Sequence, residues 1–225
     1  MSERKYVIGI DFGTDSVRAL IVATDNGEEM ASAVSPYRRW AEGLYCNPRK
    51  NQYRQHPQDY IDSITEAVRD ALAKCNGEVV DAIVGLSFDC TASTPVLTDS
   101  NGTPLALLDQ YSENPDAMFI LWKDHTAVEE SDKINEVAKS WHTDYIKYGG
   151  GNHSCEWVWA KMLHSLRVSP ELRADAYSWI EHCDWVSALL SGDTTPEKVV
   201  RSRCAAGHKA MWHSDWGGMP EREFW

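Results

Sequence analysis

The chain has 225 residues, with 22 basic against 34 acidic side chains and a net charge of −12 at neutral pH. That balance, with no basic run longer than Arg38-Arg39, excludes the clustered Lys and Arg that non-specific nucleic-acid or anionic-membrane binding requires. At 43% hydrophobic residues and with ten Trp, the chain can build a core and is not a disordered one; no apolar stretch approaches the length of a membrane span.

The first residues, MSERKYVIGID, hold charge but only a short apolar run, so they do not read as a signal peptide, and the expected location is cytoplasmic. Lys5 to Ile10 reads as a strand ending at Asp11-Phe12-Gly13. Val17 to Ala23 follows as a second strand, Asp25-Asn26-Gly27 as a turn, and Glu29 to Tyr37 as a third strand. A meander joined by hairpins is not a Rossmann start, which would place a helix after the first strand. Pro57 opens a helix to about Cys75, with Tyr60, Ile61, Ile64, Val68, Ala71 and Leu72 at spacings of three and four, and Asn76-Gly77 reads as its close. Val79 to Phe88 is a near-continuous apolar run, as expected of a buried strand, and Thr94 to Thr98 is a further strand. The order β-β-β-α-β-β implies a mixed sheet flanked by helices, an α/β fold.

The rest reads as mainly helical. Pro115 to Ser140 is a helix or a pair of helices, Cys155 to Leu166 holds an apolar stripe, Ser169-Pro170-Glu171 starts a short helix, and His182 to Leu190 forms another, ended by Gly192. Gly149-Gly150-Gly151 is the flexible point. Six cysteines without a C-x-x-C pair read as free thiols, and Cys155, on the helical stripe, reads as a packed core thiol. Glu181 and Asp184 read as helix-surface charges.

The turn Asp11-Phe12-Gly13-Thr14-Asp15-Ser16 has chemical content. Gly13 allows a close backbone approach, consecutive amides can converge on phosphate oxygens, and Thr14 and Ser16 add hydroxyl donors. Asp11 at the strand end is placed to hold Mg²⁺ directly or through water, and Arg18 to reach a transferring phosphoryl group. Gly13, Thr14, Asp15, Ser16 and Arg18 are therefore the candidate phosphate-binding residues and Asp11 the candidate metal ligand. The alternative is an ordinary hairpin turn, in which these residue types are common.

This motif and the strands around it resemble the first lobe of the actin-like ATPase superfamily, of ribonuclease H-like fold, and D-x-G-T-x-S-x-R resembles the FGGY family of sugar kinases. The segment Gly85-Leu86-Ser87-Phe88-Asp89-Cys90-Thr91-Ala92-Ser93-Thr94 is similar to that family's first substrate segment. Leu121-Trp122-Lys123-Asp124-His125 and Gly149 to Trp157 resemble the next landmarks, and Arg201 to Trp212 resembles a segment that holds a substrate-binding lysine in members acting on L-ribulose. The resemblance spans 1–225 and reads it as one N-terminal domain of a two-lobed kinase. It implies ATP and Mg²⁺ as cofactors and phosphorylation of the terminal hydroxyl of L-ribulose in L-arabinose breakdown. It also implies sugar contacts at Ala92, through its backbone, and at Lys209, Trp122, Asp124 and Glu156.

Family members are longer and have a second actin-like lobe with the catalytic base and the adenosine pocket. The resemblance therefore implies that the chain holds no catalytic base, partners with that C-terminal lobe, is nearly inert alone, and exposes apolar surface able to support a homodimer. Two other readings stay open: an actin-like or chaperone-like ATPase lobe without a sugar substrate, and a stand-alone sugar-binding module.

Overall fold

The computed structural model describes residues 4–225. Its regular elements in chain order begin with β1 (Tyr6–Phe12), β2 (Ser16–Ala23), β3 (Glu29–Pro36), α1 (Arg38–Ala41), β4 (Cys46–Asn47), β5 (Gln52–Gln55), α2 (Pro57–Leu72) and α3 (Gly77–Asp81). They continue with β6 (Ile83–Cys90), β7 (Pro95–Thr98), β8 (Phe119–Ile120), α4 (Val128–Ser140), α5 (Val158–Val168), β9 (Ser178–Glu181), α6 (His182–Ser191) and α7 (Arg203–Lys209). The chain forms two compact units. Unit 1 comprises the residues up to Leu44 with His56–Thr91, and unit 2 comprises Tyr45–Gln55 with Ala92–Trp225.

Unit 1 is a four-stranded sheet in the order β3-β2-β1-β6, antiparallel except for the parallel pair β1–β6. Tyr6, Ile8, Ile10 and Phe12 of β1 and Val17, Ala19, Ile21 and Ala23 of β2 are buried, the period of two that one covered face imposes. Helix α2 packs on β2 and β3 and buries Tyr60, Ser63, Ala67 and Ala71, one stripe at helical spacing. Pro57 sits in its first turn, and the His56 ring accepts the Gln58 N–H at 3.1 Å. The helix stops at Leu72, and Asn76 opens α3 instead of closing α2: its side chain accepts the Val79 N–H at 3.0 Å. That cap turns the first residues of the apolar run into a helical turn, so the strand expected from Val79 begins at Ile83. On the opposite face of the sheet Gly9, Asp11, Arg18, Val34 and Asp89 are exposed.

Unit 2 contains a three-stranded sheet, β4-β5-β8, an antiparallel pair β7–β9 and helices α4 to α7. Its core gathers Leu97, Leu105, Ile120, Val158, Met162 and Leu172, and a second cluster gathers Ala127, Ile134, Tyr145, Ile146, Ala160 and Phe224. Strands β4, β5, β8 and β9 have no counterpart in the sequence reading, because runs of two to four residues are too short to show a period. The stretch from Pro115 to Ser140 yields a 3-10 turn, β8 and α4 rather than helix throughout. Helix α5 starts at Val158, so Cys155 precedes it and is half-buried in the turn before it. Helix α6 ends at Ser191, with Gly192 left-handed at φ 84°. Among the described residues no cysteine forms a disulfide. Among the described residues no helix is long and apolar enough to cross a membrane.

Candidate functional site

The turn between β1 and β2 is fixed mostly by backbone. Gly13 N–H donates to the Ser16 carbonyl at 3.0 Å, and a Cβ on Gly13 would lie 3.3 Å from that same oxygen, so a side chain there would crowd the turn. The fully buried Tyr37 ring lies edge-on to Tyr60 at 5.0 Å, and its hydroxyl donates to the Gly13 carbonyl at 3.2 Å. Burial pushes the Tyr37 phenol well above its usual range, so it remains a neutral donor. Tyr37 N–H also holds the Asp15 carbonyl, and the Trp40 indole donates to the Asp15 carboxylate at 2.7 Å. Through Trp40 and Tyr37, Asp15 anchors the turn.

Asp11 lies on the exposed face, opposite Arg18 of β2 and in register with Asp89 of β6. Arg18 Nη1 is 3.7 Å from Asp11 Oδ2, with both side chains more than half exposed, a pair of little energetic weight that leaves both groups open to a ligand. Asp89, absent from the sequence-derived candidates, adds a second exposed carboxylate beside Asp11. The parallel register that brings them together joins segments far apart in the chain and leaves no local signal. Two carboxylates on neighbouring strands suit Mg²⁺, a hard ion that takes one or two carboxylates and keeps its other positions for water and phosphate oxygens.

In unit 2 the segments around Ser93 and Leu121 meet at one buried ammonium. Lys161 of α5 donates from Nζ to the carbonyls of Ser93 at 2.6 Å, Leu121 at 2.9 Å and Ile120 at 3.2 Å. Ala92 is exposed beside Ser93, and Trp122 is exposed beside Leu121. Ser93 is left-handed at φ 59°, an uncommon conformation for a residue with a side chain. Glu181 at the end of β9 accepts the Thr94 N–H at 3.0 Å. Lys209, the last residue of α7, is half-buried, and its charge acts on Glu181 and Asp184.

Glu181 and Asp184 are therefore not the helix-surface charges the sequence suggests. Both are buried; Asp184 accepts the Ser202 N–H at 2.9 Å, and burial raises both carboxyls above their usual range. Asp124 is also relocated. It is 0% exposed: its Oδ2 takes the Arg54 guanidinium and the Tyr53 N–H, and its Oδ1 takes the backbone and hydroxyl of Thr126. With both oxygens engaged inside the unit, Asp124 has no atom to offer a sugar. Glu156 is half-exposed and pairs with His125 at 2.9 Å. Cys155 has its thiol pushed up, first by burial and then by Glu156, which disfavours the reactive thiolate. The glycine triplet is a structured turn: Gly149 and Gly151 N–H both donate to the Ile146 carbonyl, and a Cβ on Gly149 would meet the Trp157 ring at 3.1 Å.

No family model matches the chain. It is 50% identical over 224 residues to the ribulokinase of Vibrio parahaemolyticus, covering 99% of this chain and 40% of that protein. The ribulokinase of Halalkalibacterium halodurans is 36% identical over 226 residues, covering 98% and 39%. Among solved structures, xylulose kinase from Bifidobacterium adolescentis is similar with a TM-score of 0.70 at 16% identity, over 99% of this chain and 42% of its own. Plasmodium falciparum glycerol kinase with ADP is similar with a TM-score of 0.60 at 13% identity, over 92% and 41%. These two likenesses show a shared mixed α/β fold. The chain spans about 40% of the length of the curated relatives it matches.

Proposed function

We propose that the chain, a homologue of the ribulokinases, is the N-terminal part of an FGGY-type sugar kinase, and that its protein transfers the γ-phosphoryl group of ATP to the terminal hydroxyl of L-ribulose, a step of L-arabinose breakdown. The 50% identity over 99% of this chain carries the reading, because it includes every segment to which a site residue is assigned.

Unit 1 serves the nucleotide. Gly13, Thr14 and Ser16 line the turn that receives phosphate oxygens, and Arg18 supplies a cation able to leave Asp11 for a phosphoryl oxygen. Asp11 and Asp89 would hold Mg²⁺, which when bound neutralises charge on the transferring phosphates. Unit 2 serves the sugar. The Ala92 backbone and the Lys209 ammonium bind hydroxyls, Trp122 presents an exposed ring to the C–H face of the pentulose, and Glu156 accepts from a hydroxyl. No residue of this chain is assigned as the base that takes the hydroxyl proton; that role belongs to the part of the relatives beyond the matched region, and the 225 residues alone are expected to be nearly inert.

The test is ATP turnover by the full-length protein with L-ribulose, D-xylulose and glycerol in turn. The reading expects the highest kcat/KM with L-ribulose and dependence on Mg²⁺. Turnover of none of the three, or clear preference for glycerol, would overturn it.

A further inference from the structure

Lys161 of α5 is 1% exposed, yet it makes no ion pair within salt-bridge distance among the described residues. Its three Nζ–H donors are matched to three backbone carbonyls, so the side chain fastens loops together. Two of those carbonyls belong to residues directly adjoining sugar-site candidates: Ser93 follows Ala92, and Leu121 precedes Trp122. The left-handed conformation of Ser93 is a strained one for a residue with a Cβ, and the bond from Lys161 helps to hold it. Glu181 grips the same segment one residue later, at the Thr94 N–H, while its Oε1 is buried without a partner and its charge interacts with both Lys161 and Lys209.

We infer that Lys161 is a positioning residue for the sugar: by clamping the Ser93, Ile120 and Leu121 carbonyls it sets the Ala92 backbone and the Trp122 ring in one fixed geometry, with Glu181 holding the other end of the first loop. This rests on the reading of Ala92 and Trp122 as sugar contacts. Lys161 itself reaches no substrate. Its effect is on where two contacts stand, and a displacement of about 1 Å in such contacts can cost on the order of 100-fold in rate.

The experiment compares Lys161→Met with the wild-type full-length protein. Methionine keeps length and apolar bulk and removes all three donors. The change leaves three carbonyls inside the protein without their donor, so a loss of Tm is expected, and kinetics are read on the folded fraction so that a lost site and a lost fold can be told apart. The expected result, on the folded fraction, is a fall of about 10- to 100-fold in kcat/KM for L-ribulose, borne mainly by KM, with KM for ATP within about twofold. Backbone hydrogen exchange should rise at residues 91–94 and 120–123 and remain unchanged in β1 and β2. As a second variant, Glu181→Gln keeps an acceptor for Thr94 N–H and should lose less than Lys161→Met.

An unchanged KM for L-ribulose, or unchanged exchange at both loops, would overturn the inference and leave the kinase reading standing. A wild-type protein that turns over no pentulose would overturn both. If Lys161→Met lowers Tm by more than about 10 °C while sugar KM in the folded fraction stays normal, the residue is structural only and the positioning role is wrong.

Discussion

In unit 1 the charged groups of the candidate site stand in water, and in unit 2 the charged groups that support it lie inside the protein. Asp11, Arg18 and Asp89 project from the open face of a sheet whose other face forms the core, so the turn is supported from below by Tyr37 and Tyr60 while its ligands remain solvated. In unit 2, Arg54, Asp124, Lys161 and Glu181 are each no more than 2% exposed, and they hold the loops from which Ala92 and Trp122 project. A nucleotide brings its own charge and counter-ion, so its site needs accessible groups that can exchange partners. A neutral sugar is recognised by directed hydrogen bonds, so its site needs backbone and side chains that do not move. The same kind of residue therefore has a different energetic weight in the two units.

The contrast predicts its largest stability effect at Asp124. Asp124→Ala leaves the Arg54 guanidinium buried with, among the described residues, Asp116 as its remaining charged partner, at 3.2 Å, and should cost about 3–5 kcal/mol, read from the urea midpoint. A loss below about 1 kcal/mol would show that the unit 2 charges are not structural and would erase the distinction.

A smaller effect follows from pH. His153 and His182 are buried in unit 2, and desolvation draws both down to about 3 from 6.5. With the folded value below the unfolded one, the unfolded chain binds more protons between those limits, so stability falls as pH drops below 6.5 and is unaffected above it. Each histidine should contribute a loss of about 2 kcal/mol between pH 7 and pH 5. All the tryptophans except Trp40 are in unit 2, so their emission reports this loss. His153→Phe, which keeps a ring against Trp157, should reduce the pH 7 to pH 5 difference by about half; an unaltered difference would place the acid sensitivity elsewhere.

The smallest stability effect is expected at Asp11. Asp11→Asn removes an exposed partner of Arg18 and should shift stability by no more than about 0.5 kcal/mol, while the full-length protein loses most Mg²⁺-dependent turnover. Normal turnover in that variant would remove Asp11 from the site, and a stability loss above about 2 kcal/mol would mean that unit 1 relies on buried charge as unit 2 does.

The sequence by itself determined the β1–β2–β3 meander, α2, α6 with its Gly192 end, and the Asp11 to Ser16 turn, because period, turn residues and caps act between near neighbours in the chain. It also exposed the kinship, since the matching motifs run from Asp11 to Trp212. Only the tertiary structure decided that Asp124, Glu181 and Asp184 are buried, that Asp89 stands beside Asp11, and that Lys161 ties two loops together. Those facts depend on partners far along the chain: Lys161 and Ser93 are 68 residues apart, Arg54 and Asp124 70, and Thr94 and Glu181 87. A charged residue carries no mark of which distant group will neutralise it, and desolvation is set by what folds over it. The short strands β4, β5, β8 and β9 escaped for the same reason: a run of two to four residues becomes a strand only when another segment arrives to accept its hydrogen bonds.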